Sequence, residues 1–88
     1  MNDILSEKDS KAVEKILTDQ LGVKPEQLLP EAHLLDDLGA DSLTLVELTM
    51  ALEDRFNLSI PDERWERVRT VGELYEALAE LLQEQRSA

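Results

Sequence analysis

The chain has no cysteine, which excludes a disulfide framework, a thiolate metal site and any protein thiol able to hold a thioester. Thioester chemistry, if present, has to use an added group. No basic segment leads into an apolar targeting core, and no apolar run is long enough to span a bilayer. A soluble, cytoplasmic protein is therefore the expectation. There is a single histidine, His33, and no Gly-x-Ser-x-Gly elbow, so no serine has an evident partner that would activate it as a nucleophile. Basic residues are also scarce: 9 against 20 acidic residues leave a net charge of −11. That balance opposes binding to nucleic acid or to an anionic membrane, and favours basic protein surfaces as partners.

With 42% hydrophobic residues in periodic runs, the 88-residue chain is no acidic disordered tail. It has room for one domain spanning 1–88 and one modest core, and a monomer is expected. No strand pattern competes with an all-α reading: a four-helix bundle of three main helices and one short third helix. Met1 to Leu5 should fray. Ser6-Glu7-Lys8-Asp9 has capping-box spacing, which predicts a first helix from near Glu7. Ala12, Val13, Ile16, Leu17 and Leu21 fall on its inner face, and Gly22 suits its stop.

From Val23 to Ala40, Pro25 and Pro30 break the helical pattern. Leucines 28, 29, 34, 35 and 38 in this connection should lie against the core. Its length exceeds the roughly 12 to 15 residues usual for structureless loops, so a function is expected of it, namely presenting Ser42 at its far end. Asp36, Asp37 and Asp41 do not make an EF-hand. With Gly39 at the sixth position, Leu34 would stand first, where a carboxylate is required.

The segment Leu38 to Phe56 organises the rest. At about 100° per residue, Leu45, Leu48, Leu52 and Phe56 share one face, while Leu43, Val46 and Met50 form a second stripe roughly 150° away. Glu47, Glu53 and Asp54 bracket that second stripe, and an apolar stripe rimmed by charge marks a partner site. Asp41 is the expected N-cap and Ser42 the first helical residue. Unpaired amides and the macrodipole favour an anion at such a helix start, so a phosphoester on Ser42 would be well placed. Downstream, Pro61 at the first helical position predicts a short helix from Asp62 to Arg67. Thr70-Val71-Gly72-Glu73 has a second capping-box spacing. Val71, Leu74, Tyr75, Leu78, Leu81 and Leu82 then line a fourth helix, with residues 83–88 expected to fray.

Asp36-Asp37-Leu38-Gly39-Ala40-Asp41-Ser42-Leu43, together with Val46-Glu47-Leu48, resembles the attachment signature of acyl carrier proteins. The resemblance extends from Leu21-Gly22-Val23 through Ile60-Pro61-Asp62 to Thr70-Val71 with the family's spacing. It implies 4'-phosphopantetheine on Ser42 through a phosphodiester, installed by a phosphopantetheinyl transferase, with acyl groups carried as thioesters for enzymes that bear basic docking patches. The chain itself would be non-catalytic. Asp41, Leu43, Val46, Glu47, Met50, Glu53 and Asp54 would contact partners. Leu45, Ile60, Trp65, Val68 and Leu74 would line an acyl cleft between the second helix and a third helix held by few contacts.

The sequence departs from the family at Thr44, where an acidic residue is common, and at Leu45 and Trp65, where smaller residues are common. Arg64, Arg67 and Arg69 add charge to a region that is usually acidic. These departures leave a specialised lipid or polyketide role open beside fatty acid synthesis. A peptidyl or aminoacyl carrier is the near alternative, although Asp41-Ser42 is more like acyl carriers than the Gly-Gly-x-Ser of peptidyl ones. An unmodified acidic interaction module is the alternative from another class.

Overall fold

The computed structural model describes residues 5–87. Helix α1 covers Glu7–Leu21, α2 Ser42–Phe56, α3 Asp62–Trp65 and α4 Val71–Ser87, and a 3-10 turn occupies Pro25–Gln27. The fold is a small helical bundle. Its helix boundaries follow from local chemistry. Ser6 caps α1 by accepting the Asp9 amide at 3.1 Å, and Gly22 closes it in the left-handed conformation at φ 69°. At the start of α4, Thr70 Oγ1 accepts the Glu73 amide at 3.2 Å. Glu73 Oε1 in turn accepts the Thr70 amide at 3.1 Å and the Arg69 amide at 2.8 Å. Those donors hold the Glu73 carboxyl below its ordinary range, the Arg69 amide contributing most.

The helices bury the faces their periodicity predicts. Val13 and Leu17 of α1, Leu48, Leu52 and Phe56 of α2, and Leu74, Leu78, Leu81 and Leu82 of α4 form one core with Ile60. Leu5, placed in the fraying end by sequence, packs partly buried against this core, whereas residues 1–4 lie outside the described residues. Helix α4 continues through Ser87, past Gln83 where the sequence predicts fraying, and the Gln85 amide donates to the Asn57 carbonyl at 2.5 Å.

The connection between α1 and α2 is not slack. Its Leu34 amide donates to the Arg69 carbonyl at 2.9 Å, and the Val71 and Gly72 amides donate back to Ala32 at 3.0 Å and Pro30 at 2.9 Å. His33 and Thr70 thereby form an isolated antiparallel bridge. A Cβ on Gly72 would lie 3.1 Å from the Pro30 carbonyl oxygen, so glycine lets α4 approach the loop this closely. Ala32, Leu34, Leu38 and Ala40 are buried, while Leu29 and Leu35 are exposed. The expectation that all five loop leucines face the core is corrected accordingly. The hydrogen bonds to α4 fix which side of the loop turns inward.

The short third helix also differs from expectation. It ends at Trp65 rather than Arg67, and Pro61 stands at the cap, one position before the first helical residue. Arg67 and Val68 continue as tighter turns, their amides reaching Arg64 and Trp65 carbonyls three residues back at 3.1 Å. The Arg64 guanidinium forks between Glu80 at 2.6 Å and Glu84 at 3.3 Å, tying α3 to α4.

Candidate functional site

Ser42 sits at the first position of α2, exposed, at the end of the ordered loop. The loop aims it through Ala40, which is buried and whose amide donates to the Leu34 carbonyl at 2.9 Å. Asp41 then caps the helix. Its Oδ1 accepts both the Thr44 amide and the Thr44 hydroxyl at 2.9 Å, and its carbonyl accepts the Leu45 amide. The two Thr44 donors, the amide first, hold the Asp41 carboxyl below its ordinary range and keep it ionised. Thr44, which by sequence is a missing acidic contact, thus completes the cap; the Asp-x-x-Thr spacing carries that signal. Among the described residues, the Ser42 side chain has no hydrogen-bond partner. Its hydroxyl is therefore free for an external reagent, and the first amides of the helix, which lack intrahelical acceptors, favour a phosphate there.

Below Ser42 runs the second stripe of α2, with Leu43, Val46 and Met50 left 66%, 55% and 62% exposed. Glu47 and Asp54 are exposed beside it. Glu53 differs. It is half-buried, and its Oε2 accepts the Ile60 amide at 2.8 Å, clasping the turn after α2. A carboxylate used in this way is a structural fastening rather than a freely offered docking charge. Glu53→Lys should therefore lower stability by roughly 1–3 kcal/mol through the lost charged hydrogen bond. Glu47→Lys should stay within about 0.5 kcal/mol. Urea melts of the two variants compare them directly, and equal midpoints would rule the clasp out.

Between the loop, the first turn of α2 and the α3 region lies a cavity of about 360 Å³. Of the five residues expected to line an acyl cleft, Leu45, Trp65 and Val68 meet here. Ile60 and Leu74 do not; both are buried in the central core. Their places are taken by Leu34 and Leu35 on the apolar side and by His33, Asp36, Glu66 and Arg69 on the polar side. No sequence periodicity links residues 33–36 to 66–69. The His33–Thr70 bridge brings them together. The Trp65 indole nitrogen is itself buried, out of contact with solvent, and has no acceptor among the described residues. An unmade hydrogen bond on a buried donor costs about 1–3 kcal/mol.

A start-of-helix serine with an unengaged hydroxyl stands above an exposed apolar stripe, and Leu45 of the same helical turn lines a cavity, an arrangement that leaves the hydroxyl open to covalent attachment. A family profile described as phosphopantetheine attachment site matches residues 11–78, most of the chain. The chain belongs to this family. Members of the phosphopantetheine attachment family carry covalently bound 4'-phosphopantetheine, and their carrier domains are generally non-catalytic. Such carriers work with transferases and synthases. The matched span includes both Ser42 and the cavity-lining residues of the α3 region. Among the described residues, no helix is long and apolar enough to cross a membrane.

Proposed function

We propose that the chain is an acyl carrier protein of the cytoplasm, serving fatty acid or specialised lipid and polyketide synthesis, with Ser42 as the attachment residue. The observation that carries this reading is the exposed, unpartnered Ser42 hydroxyl at the first position of α2, inside the family match. In the attachment step, Ser42 Oγ bonds to the pantetheine-bearing phosphorus of coenzyme A. The pyrophosphate P–O bond breaks, adenosine 3',5'-bisphosphate leaves, and the serine proton passes to a base on the transferase. Asp41 contributes by fixing the helix start through Thr44, and takes no proton. The bound arm supplies the thiol that the cysteine-free chain lacks. The test is intact mass after incubation with a broad-specificity transferase and coenzyme A: a gain of one phosphopantetheine is expected, and an unchanged mass overturns the reading in favour of an unmodified interaction module.

Docking falls to α2. From Asp36 to Asp54 there are six acidic residues and no basic one, which should steer basic enzyme patches and make association sensitive to salt. Glu47→Lys should slow association with a partner synthase. Met50→Ala should mainly speed dissociation by shrinking the apolar contact. Stopped-flow binding at low and high salt separates the two effects, and rates indifferent to both salt and Glu47→Lys would contradict steering.

A further inference from the structure

The few cations of this acidic chain are not spread evenly. Lys8, Lys11, Lys15 and Arg55, four of its nine basic residues, line an open groove of about 500 Å³ formed by α1 and the last turn of α2, and Asp19 is the one carboxylate beside them. Helical geometry explains the cluster. Lys8, Lys11 and Lys15 recur at the spacing of a single face of α1, a row about 10 Å long. Ala12 and Ile16, half-buried against the core, make the apolar floor. Arg55 follows Val46 by two and a half turns, so it stands about 180° round α2 from the exposed stripe of Leu43, Val46 and Met50. Little within the chain satisfies these cations. Lys11 and Lys15 make only exposed pairs, with Glu7 at 3.9 Å and Asp19 at 3.4 Å, of the weak kind that a better acceptor displaces. Lys8 and Arg55 have no carboxylate partner among the described residues, the Arg55 guanidinium lying instead 5.3 Å from the Phe56 ring centroid.

We propose that this groove is a second docking surface whose occupant is a short acidic amphipathic segment of a partner protein, with apolar side chains on Ala12 and Ile16 and carboxylates on Lys8, Lys11, Lys15 and Arg55. Charge complementarity selects that occupant. Screening confines electrostatics to about 8 Å at physiological ionic strength, so a short segment lying in the groove meets the four cations, whereas a broad anionic surface is held against the whole charge of −11. An anionic bilayer is disfavoured on that ground, and a second copy would bring another −11. The floor disfavours a free inorganic anion, which has nothing to bury on Ala12 and Ile16. Because groove and stripe lie on opposite sides of α2, an acidic partner in the groove leaves the stripe open to basic enzymes. The proposal does not depend on what Ser42 carries.

The probe is a fluorescein-labelled peptide of about 15 residues, the length at which a helix begins to hold alone, with leucine along one face and glutamate along the other. Fluorescence anisotropy with the full chain should show saturable binding, and the analogue with glutamine in place of every glutamate should bind roughly tenfold more weakly. Combining Lys8→Gln, Lys15→Gln and Arg55→Gln should weaken binding of the acidic peptide roughly tenfold, the sum of three exposed charge pairs. All three side chains are exposed, so the variant should stay folded, which circular dichroism checks. Arg67→Gln removes an exposed cation outside the groove and should change binding by less than about twofold. Amide shifts in ¹⁵N-labelled protein should fall at residues 8–19 and at Arg55, not at residues 43–50. No saturable binding, equal binding by the triple variant, or shifts confined to the stripe would each overturn the proposal. Pelleting with phosphatidylglycerol vesicles that the triple variant loses would assign the groove to lipid instead. A dimer in equilibrium sedimentation that the same variant loses would assign it to a second copy, and either result overturns the acidic segment as occupant.

Discussion

Ser42→Ala should take up no phosphopantetheine under conditions expected to convert the unaltered chain, and the loss should be complete rather than graded. The reason is that no neighbouring hydroxyl can stand in. The Thr44 hydroxyl is engaged by Asp41, and Ser6 serves as the cap of α1. The substitution should also leave the fold alone. Ser42 is exposed, its side chain has no hydrogen-bond partner among the described residues, and alanine is well tolerated where a helix is already capped by Asp41. A stability change within about 0.5 kcal/mol is expected. Circular dichroism and a urea melt establish that the variant is folded, and intact mass then reads attachment. Mass gain in the folded variant would move the attachment point to another residue.

The parts of this molecule that are legible in the sequence are those set by neighbours close along the chain. Ser6, Asp41 and the Thr70–Glu73 pair announce their helices because a capping hydrogen bond spans three residues, and each is made as the spacing predicts. The two faces of α2 are equally legible, since helical geometry alone separates Leu48 and Leu52 from Leu43 and Met50. What escapes lies at longer range. Glu53 flanks the exposed stripe in sequence, but folds back onto the Ile60 amide seven residues later, and no pattern in α2 distinguishes it from Glu47. Arg64 reads as added surface charge until the packing of α3 on α4 supplies Glu80 and Glu84. The cavity is half legible. Leu45, Trp65 and Val68 are expected there, whereas His33, Asp36, Glu66 and Arg69 reach it through the bridge between the loop and α4, to which no local spacing points.

Leu34→Ala should be among the most damaging single substitutions, although it falls in a segment without helix or strand. Leu34 is 2% exposed, while its neighbour Leu35 is 56% exposed. A loop has no repeating period to mark such an alternation; the backbone bonds from Leu34 to Arg69 and Ala40 impose it here. Truncating a buried leucine to alanine costs about 2–5 kcal/mol through lost transfer energy and residual cavity. That is a large share of the roughly 5–15 kcal/mol that stabilises a native domain, and small domains lie toward the low end. Leu35→Ala removes the same atoms from an exposed position and should change stability by no more than about 0.5 kcal/mol. Urea midpoints at unchanged slope measure the difference. The damage should reach function as well, because the Leu34 carbonyl holds the Ala40 amide and Ala40 sets the approach to Asp41 and Ser42. Phosphopantetheine uptake by Leu34→Ala should therefore be slower even at temperatures where most of the variant is folded. If the alanine variant does not fold at all, Leu34→Met, which conserves volume and should cost less than about 1.5 kcal/mol, keeps the comparison with Leu35→Met measurable. Equal midpoints for the two positions would mean that the long connection is not part of the core, and that Ser42 is presented by a free loop rather than by an extension of the bundle.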